Sequence, residues 1–151
     1  MLTKSSPDKA SGLLNGQQLE LPSGAEGIHI MEKLIEMICS TYKLGEDYYG
    51  NILVAVTEAV NNAIYHGNKA NPGKKVHVGF KTNTTSVSFS VRDEGSGFDF
   101  NNLPDPTDPV NIEKPSGRGI FLMKHLADDV QFSDGGSCVS ISFNILPVGN
   151  N

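Results

Sequence analysis

The sequence predicts an α+β fold, a two-layer α/β sandwich in which helices cover one face of a mixed, mostly antiparallel sheet. Apolar residues recur at three- and four-residue steps through two long segments, 27–42 and 46–66. Short runs at 76–80, 87–91, 130–133 and 138–145 read instead as strands, the first two alternating apolar with polar or small residues. Turn-forming residues divide these runs at 71–73, 83–85 and 134–136.

Residues 1–16 are rich in Ser, Lys, Asp and Gly without periodicity and read as a mobile leader. Gln17 to Leu21 alternates as a short edge strand does. A first amphipathic helix follows from Gly27 to Tyr42, its stripe formed by Ile28, Met31, Leu34, Ile35, Ile38 and Tyr42. Gly45 breaks it. A second helix runs from Glu46 to His66 on Ile52, Val56, Ala59, Val60 and Ala63, with Gly67 as its C-terminal stop.

After the Asn71-Pro72-Gly73 turn, Val76, Val78 and Phe80 alternate with Lys75, His77 and Gly79. Val87, Phe89 and Val91 alternate with Ser86, Ser88 and Ser90, and Asn83-Thr84-Thr85 joins the two strands. Gly95 to Ser116 holds Pro104, Pro106, Pro109 and Pro115, which exclude a regular element of any length and suggest a lid. A third helix is expected from Gly117 to Ala127 on Ile120, Phe121, Met123 and Leu126. Strands at Val130–Ser133 and Cys138–Ile145 close the fold around the turn Asp134-Gly135-Gly136. The whole reads as one domain over 17–146, followed by a tail at 147–151.

The chain has 151 residues, the size of a single domain with one core. A net charge of −5 leaves no basic footprint for nucleic acid or an anionic membrane, so neither is an expected partner. No apolar run nears the roughly 18 residues of a membrane span, and MLTKSSPDKASG lacks the apolar centre of a signal peptide; a cytoplasmic location is expected. Cys39 and Cys138 have no CxxC partner and read as buried thiols, and no His/Cys cluster has metal-ligand spacing.

The chemistry is concentrated in EAVNNAIYHGN at 58–68, DEGSGFD at 93–99 and GRGIFLM at 117–123. Glu58 and Asn62 stand four residues apart on a helix, so a carboxylate lies one turn from an amide on the same face. A polar pair facing solvent is the plainer alternative. His66 near that face suits a helix C-terminal dipole partner as well as a ligand contact. Asp93 ends a strand with Gly95 and Gly97 behind it, where backbone must pass close to something; the string also suits an Asp-initiated turn. Glu94 and Ser96 read as bystanders. Gly117-Arg118-Gly119 opens a helix whose free N–H groups can hold phosphate, or else forms a lid hinge with an exposed arginine. No GxxxxGK[ST] loop is present, Leu122 replaces the last glycine of a dinucleotide fingerprint, and the eukaryotic protein-kinase motifs are missing.

By the order and spacing of these three segments, residues 17–146 resemble the ATP-binding domain (the Bergerat-type fold) of the GHKL superfamily: gyrase, the heat-shock chaperone, histidine kinases and MutL. Within it the chain is similar to the small bacterial anti-sigma factor serine/threonine kinases. The resemblance implies ATP and Mg2+ as cofactors, with Asn62 at the position that holds the ion; one neutral amide oxygen suits Mg2+, which keeps its waters and takes nucleotide phosphates as ligands. It implies Glu58 as the base for an attacking hydroxyl. Asp93 takes the place of the carboxylate that accepts the adenine amine, where guanine would present a carbonyl with no donor for it. Gly95 and Gly97 then leave room for the base, while Gly117, Arg118, Gly119 and Ile120 serve the phosphate side, and His66 the nucleotide. Arg118 suits a partner protein as well.

The implied partners are a sigma factor and a small anti-sigma factor antagonist that is phosphorylated, with the chain a homodimer. An ATP-binding switch that sequesters a partner without phosphoryl transfer is the competing expectation, and a stand-alone histidine-kinase-type ATPase domain a third. Two departures from the relatives stand out. Gly136-Ser137-Cys138 replaces a Gly-Thr-Thr string that contacts the adenine side, and Pro115 replaces a lid arginine, for which Lys114 is the nearest substitute.

Overall fold

One-sided alternation dictates a sheet with two unlike faces, and the computed structural model of the chain, which describes residues 16–99 and 115–145, has one. The leader through residue 15, residues 100–114 of the proline-rich stretch (including Lys114) and the tail from 146 lie outside the described residues. The elements run β1 (Gln18–Pro22), α1 (Ala25–Thr41), α2 (Glu46–Asn62), β2 (Lys75–Thr82), β3 (Ser86–Arg92), α3 (Pro115–Leu126), β4 (Asp129–Ser133) and β5 (Cys138–Asn144).

The strands form one five-stranded sheet in the order β1-β2-β3-β5-β4. Every described pairing is antiparallel, so the sheet is antiparallel where a mixed, mostly antiparallel one was expected. β3 and β4 are joined through α3 and run in the same direction, but β5 returns from β4 through a tight turn and inserts between them. That insertion replaces the parallel pairing a β3-α3-β4 crossover would otherwise make with two antiparallel ones. Register places Phe80 opposite Phe89, Phe89 opposite Ile141, and Ile141 opposite Val130.

The apolar sites of each strand face the helices. Leu21, Val76, Val78, Phe80, Val87, Phe89, Val91, Val139, Ile141 and Phe143 are buried, and the helices answer with Met31, Leu34, Ile35 and Ile38 from α1 and Ile52, Val56, Ala59 and Val60 from α2. The other face carries Ser86, Ser88, Ser90, Ser140 and Ser142 with Gly79. Phe89 sits at the centre of the core, 1% exposed, with ring centroids 5.4 Å from Phe80 and 6.5 Å from Phe143. We expect Phe89→Ala to lower unfolding free energy by about 3–5 kcal/mol in denaturant titration, a cavity cost that surface substitutions do not approach. Cys39 is buried, which pushes its thiol up to about 11, while Cys138 is half-buried; both are free.

Two of the helix boundaries that differ from the sequence expectation matter at the site. α2 keeps α-helical pitch only to Asn62 and then widens into a π-helical turn, Ala63–Gly67, in which the Asn68 N–H reaches back five residues to the Ala63 carbonyl at 2.8 Å. α3 begins two residues early, with Pro115 in its first turn, where a missing N–H costs nothing.

Candidate functional site

The helix layer and the β3-β5-β4 half of the sheet do not close completely, and a cleft opens between them. Its floor is apolar: Val91 and Val139 from the sheet, Ala59 from α2, Ala63 from the π turn, Ile120 and Met123 from α3. Its rim is polar or bare, with Asn62, His66, Asp93 and Ser137 interspersed with Gly67, Gly97 and Gly136. An apolar slot with few convergent polar groups is the form of a site for a flat, mostly apolar ligand portion.

Asp93 follows the last residue of β3. Its N–H donates to the Ser137 carbonyl at 2.9 Å, tying it to the start of β5, and its Oδ1 accepts the Gly95 N–H at 2.8 Å. The carboxylate lies flat against Gly67, where a β-carbon would collide with its Cγ and Oδ2. Gly95 in turn lies against the Gly67 carbonyl, and Gly97, at φ 84°, against the Gly135 carbonyl. At both positions any side chain would meet backbone, so the loop is pressed onto the π turn and onto the β4–β5 turn. Burial raises the Asp93 carboxyl above the ordinary carboxylate range, against the lowering effects of the Gly95 N–H and of Arg92 and Lys74.

Glu58 and Asn62 lie together on α2, and Gly119 of α3 packs directly on both. A β-carbon on Gly119 would stand 2.9 Å from Glu58 Oε1 and 3.1 Å from Asn62 Nδ2. Glycine therefore lets α3 approach the acid and the amide closely. Neither a hydrogen bond nor an ion pair to a described residue commits the Glu58 carboxylate.

The cleft thus gathers Asn62, His66, Asp93, Gly97 and Ile120, with Glu58 and Gly119 meeting at Asn62 and Gly95 supporting Asp93 from behind. Gly117 is buried and Arg118 exposed near the start of α3; neither lines the cleft. Because α3 starts at Pro115, Gly119 falls in its second turn and serves close packing, which leaves the unpaired N–H groups of the helix start at or before Gly117.

Four features escaped the sequence reading. Phe98 and Phe132 stand edge to face at 5.4 Å and line one wall; Phe98 follows directly after Gly97, a signal that was available. Ser137, within the string that departs from the relatives, lines the cleft and holds Asp93 through its carbonyl. Asn68 is 1% exposed and hydrogen-bonded at both ends of its amide. Glu94 is no bystander: its carboxylate accepts the Lys75 N–H at 3.2 Å and lies 2.9 Å from His77 Nε2, contacts that lower its pKa, the His77 hydrogen bond first.

Comparison with known proteins places the fold in a family. The profile of the histidine kinase-like ATPase domain matches residues 19–143. A serine-protein kinase RsbW of Oceanobacillus iheyensis is 24% identical over 123 residues, covering 78% of each chain. Another RsbW, of Bacillus cereus, is 28% identical over 120 residues, 76% of this chain and 74% of its own. The crystal structure of the RsbU and RsbW domains of Rv1364c from Mycobacterium tuberculosis superimposes with a TM-score of 0.54 at 15% identity over 87% of this chain, a likeness of fold. This chain spans 32% of that longer one.

Proposed function

The chain belongs to the histidine kinase-like ATPase domain family, and from that premise we propose that it is an ATP-dependent protein serine/threonine kinase acting as an anti-sigma factor. In this reading it binds a sigma factor and phosphorylates a small antagonist protein, as a cytoplasmic homodimer. The observation that supports it most is the convergence of Glu58, Asn62, Asp93 and Gly119 around one cleft. The name shared by its relatives, serine-protein kinase RsbW, points the same way.

The cleft fits an adenine nucleotide. Its floor is apolar, its glycines leave the walls flat, and Asp93 keeps acceptor capacity beyond the single Gly95 N–H it receives. Asn62 offers one hard amide oxygen where the phosphates would lie, a donor suited to Mg2+, which when bound neutralises phosphate charge. Asp93 selects adenine by accepting its exocyclic amine. A hydroxyl of the antagonist attacks the γ-phosphorus; its O–P bond forms as the bond to the β-phosphate's bridging oxygen breaks, ADP leaves, and Glu58 takes the hydroxyl proton. Positioning supplies most of the rate enhancement.

The direct test is incubation with γ-labelled ATP, Mg2+ and a candidate antagonist. Label on a serine or threonine of the antagonist is the expected result. ATP binding with no transfer to any antagonist would replace this reading with a partner-sequestering switch. Gly119→Ala provides a finer test, since its new methyl would meet the movable ends of Glu58 and Asn62. The variant is expected to fold at least as stably, Ala being favoured over Gly inside a helix by about 0.5–1 kcal/mol, while transfer slows because Glu58 and Asn62 are displaced. Thermal melts and initial rates measured side by side read both effects.

A further inference from the structure

One buried amide joins the end of α2 to the loop that carries Asp93. Asn68 stands just past the π turn of α2. Its Oδ1 accepts the Glu94 N–H at 2.7 Å, and its Nδ2 donates to Ser23 Oγ and to the Lys75 carbonyl, each at 3.0 Å. Ser23 Oγ donates onward to the Lys74 carbonyl at 2.6 Å. One side chain, 1% exposed, therefore joins the end of α2, the turn between β1 and α1, the start of β2 and the loop that follows β3.

The residue it holds is held twice. Glu94 is gripped by its backbone through Asn68 and by its side chain through the Lys75 N–H and His77. A carboxylate only accepts, so His77 Nε2 carries the hydrogen of that contact, while Nδ1 lies 3.6 Å from Glu20 on the neighbouring strand β1. Glu94 is the next residue after Asp93, and neither Asn68, Glu94 nor His77 lines the cleft. Fixing Glu94 at both ends sets the direction in which the preceding carboxylate points.

We propose that Asn68 and Glu94 are positioning residues for adenine selection: together they clamp the loop so that Asp93 meets the exocyclic amine of the base. The clamp touches no part of the nucleotide and acts only through Asp93. This rests on the reading of Asp93 as the acceptor of that amine.

Calorimetric titration of the full chain with ATP and with purine riboside triphosphate, whose base lacks the amine, separates the possibilities. The unaltered protein binds ATP more tightly than the analogue; equal binding would overturn the role of Asp93 itself, before any variant is considered. Glu94→Ala removes an exposed side chain and keeps the fold, so it carries the decision if Asn68→Ala, which strands buried partners, does not fold. In each folded variant ATP affinity is expected to fall about 10-fold, the worth of one misaligned hydrogen bond to a charged group, with affinity for the analogue nearly unchanged. An equal loss for both nucleotides would reduce Asn68 and Glu94 to general supports of the fold, and undiminished ATP affinity in Glu94→Ala would remove the clamp altogether.

Discussion

Glu58→Gln is expected to slow phosphoryl transfer by orders of magnitude while ATP remains bound. The substitution keeps the length and shape of the side chain on α2 and removes its charge and its capacity to accept a proton. Loss of a positioned general base lowers turnover by about 10²- to 10⁴-fold, whereas binding contacts elsewhere in the cleft are untouched. Stability should move little, because no described residue is hydrogen-bonded or ion-paired to this carboxylate. Single-turnover rates with saturating ATP, set beside a binding isotherm, give the two quantities independently. A variant that loses ATP affinity and turnover together would assign Glu58 to nucleotide binding instead.

The second large effect is expected at Asp93. Asp93→Asn keeps Oδ1 for the Gly95 N–H but turns the other oxygen into an amide donor. A donor facing the adenine amine leaves both hydrogens unpaired, and ATP affinity should drop by roughly 10²-fold or more, with the preference for ATP over GTP collapsing. The fold should not suffer. Burial raises the carboxyl of Asp93, so its charged form costs stability; that cost is absent below the unfolded-state pKa and sets in as pH rises through the raised folded-state value. A neutral amide escapes it, and at neutral pH the nucleotide-free variant should melt no lower than the parent. ATP affinity of the parent should weaken on acidification from a higher pH than an ordinary carboxylate would give.

How far the sequence alone reached follows from the range of each interaction. The one-sided strands announce themselves because Val76, Val78 and Phe80, or Val87, Phe89 and Val91, face a single core while serines face away. Glu58 and Asn62 were legible because a four-residue step on a helix has only one geometry. The π turn at 63–67 was not, since it differs from α-helix by one hydrogen-bond step and no residue there demands it. Asn68 drew no reading from the sequence because its partners Ser23 and Glu94 stand 45 and 26 residues away. Glu94 was misjudged for the same reason: its contacts, Lys75 and His77, belong to another strand. The insertion of β5 between β3 and β4 likewise depends on pairings that alternation cannot rank.

The central claim is that one cleft receives adenine at Asp93 and phosphates toward Asn62 and the start of α3. A crystal structure of the chain with Mg2+ and a non-hydrolysable ATP analogue tests it most directly. The account predicts the exocyclic amine within hydrogen-bond distance of the Asp93 carboxylate, the base between Val91, Ile120 and Met123, and the γ-phosphate on the Glu58 side. Nucleotide bound on any other surface, or seated in the cleft with its amine turned away from Asp93, would contradict it.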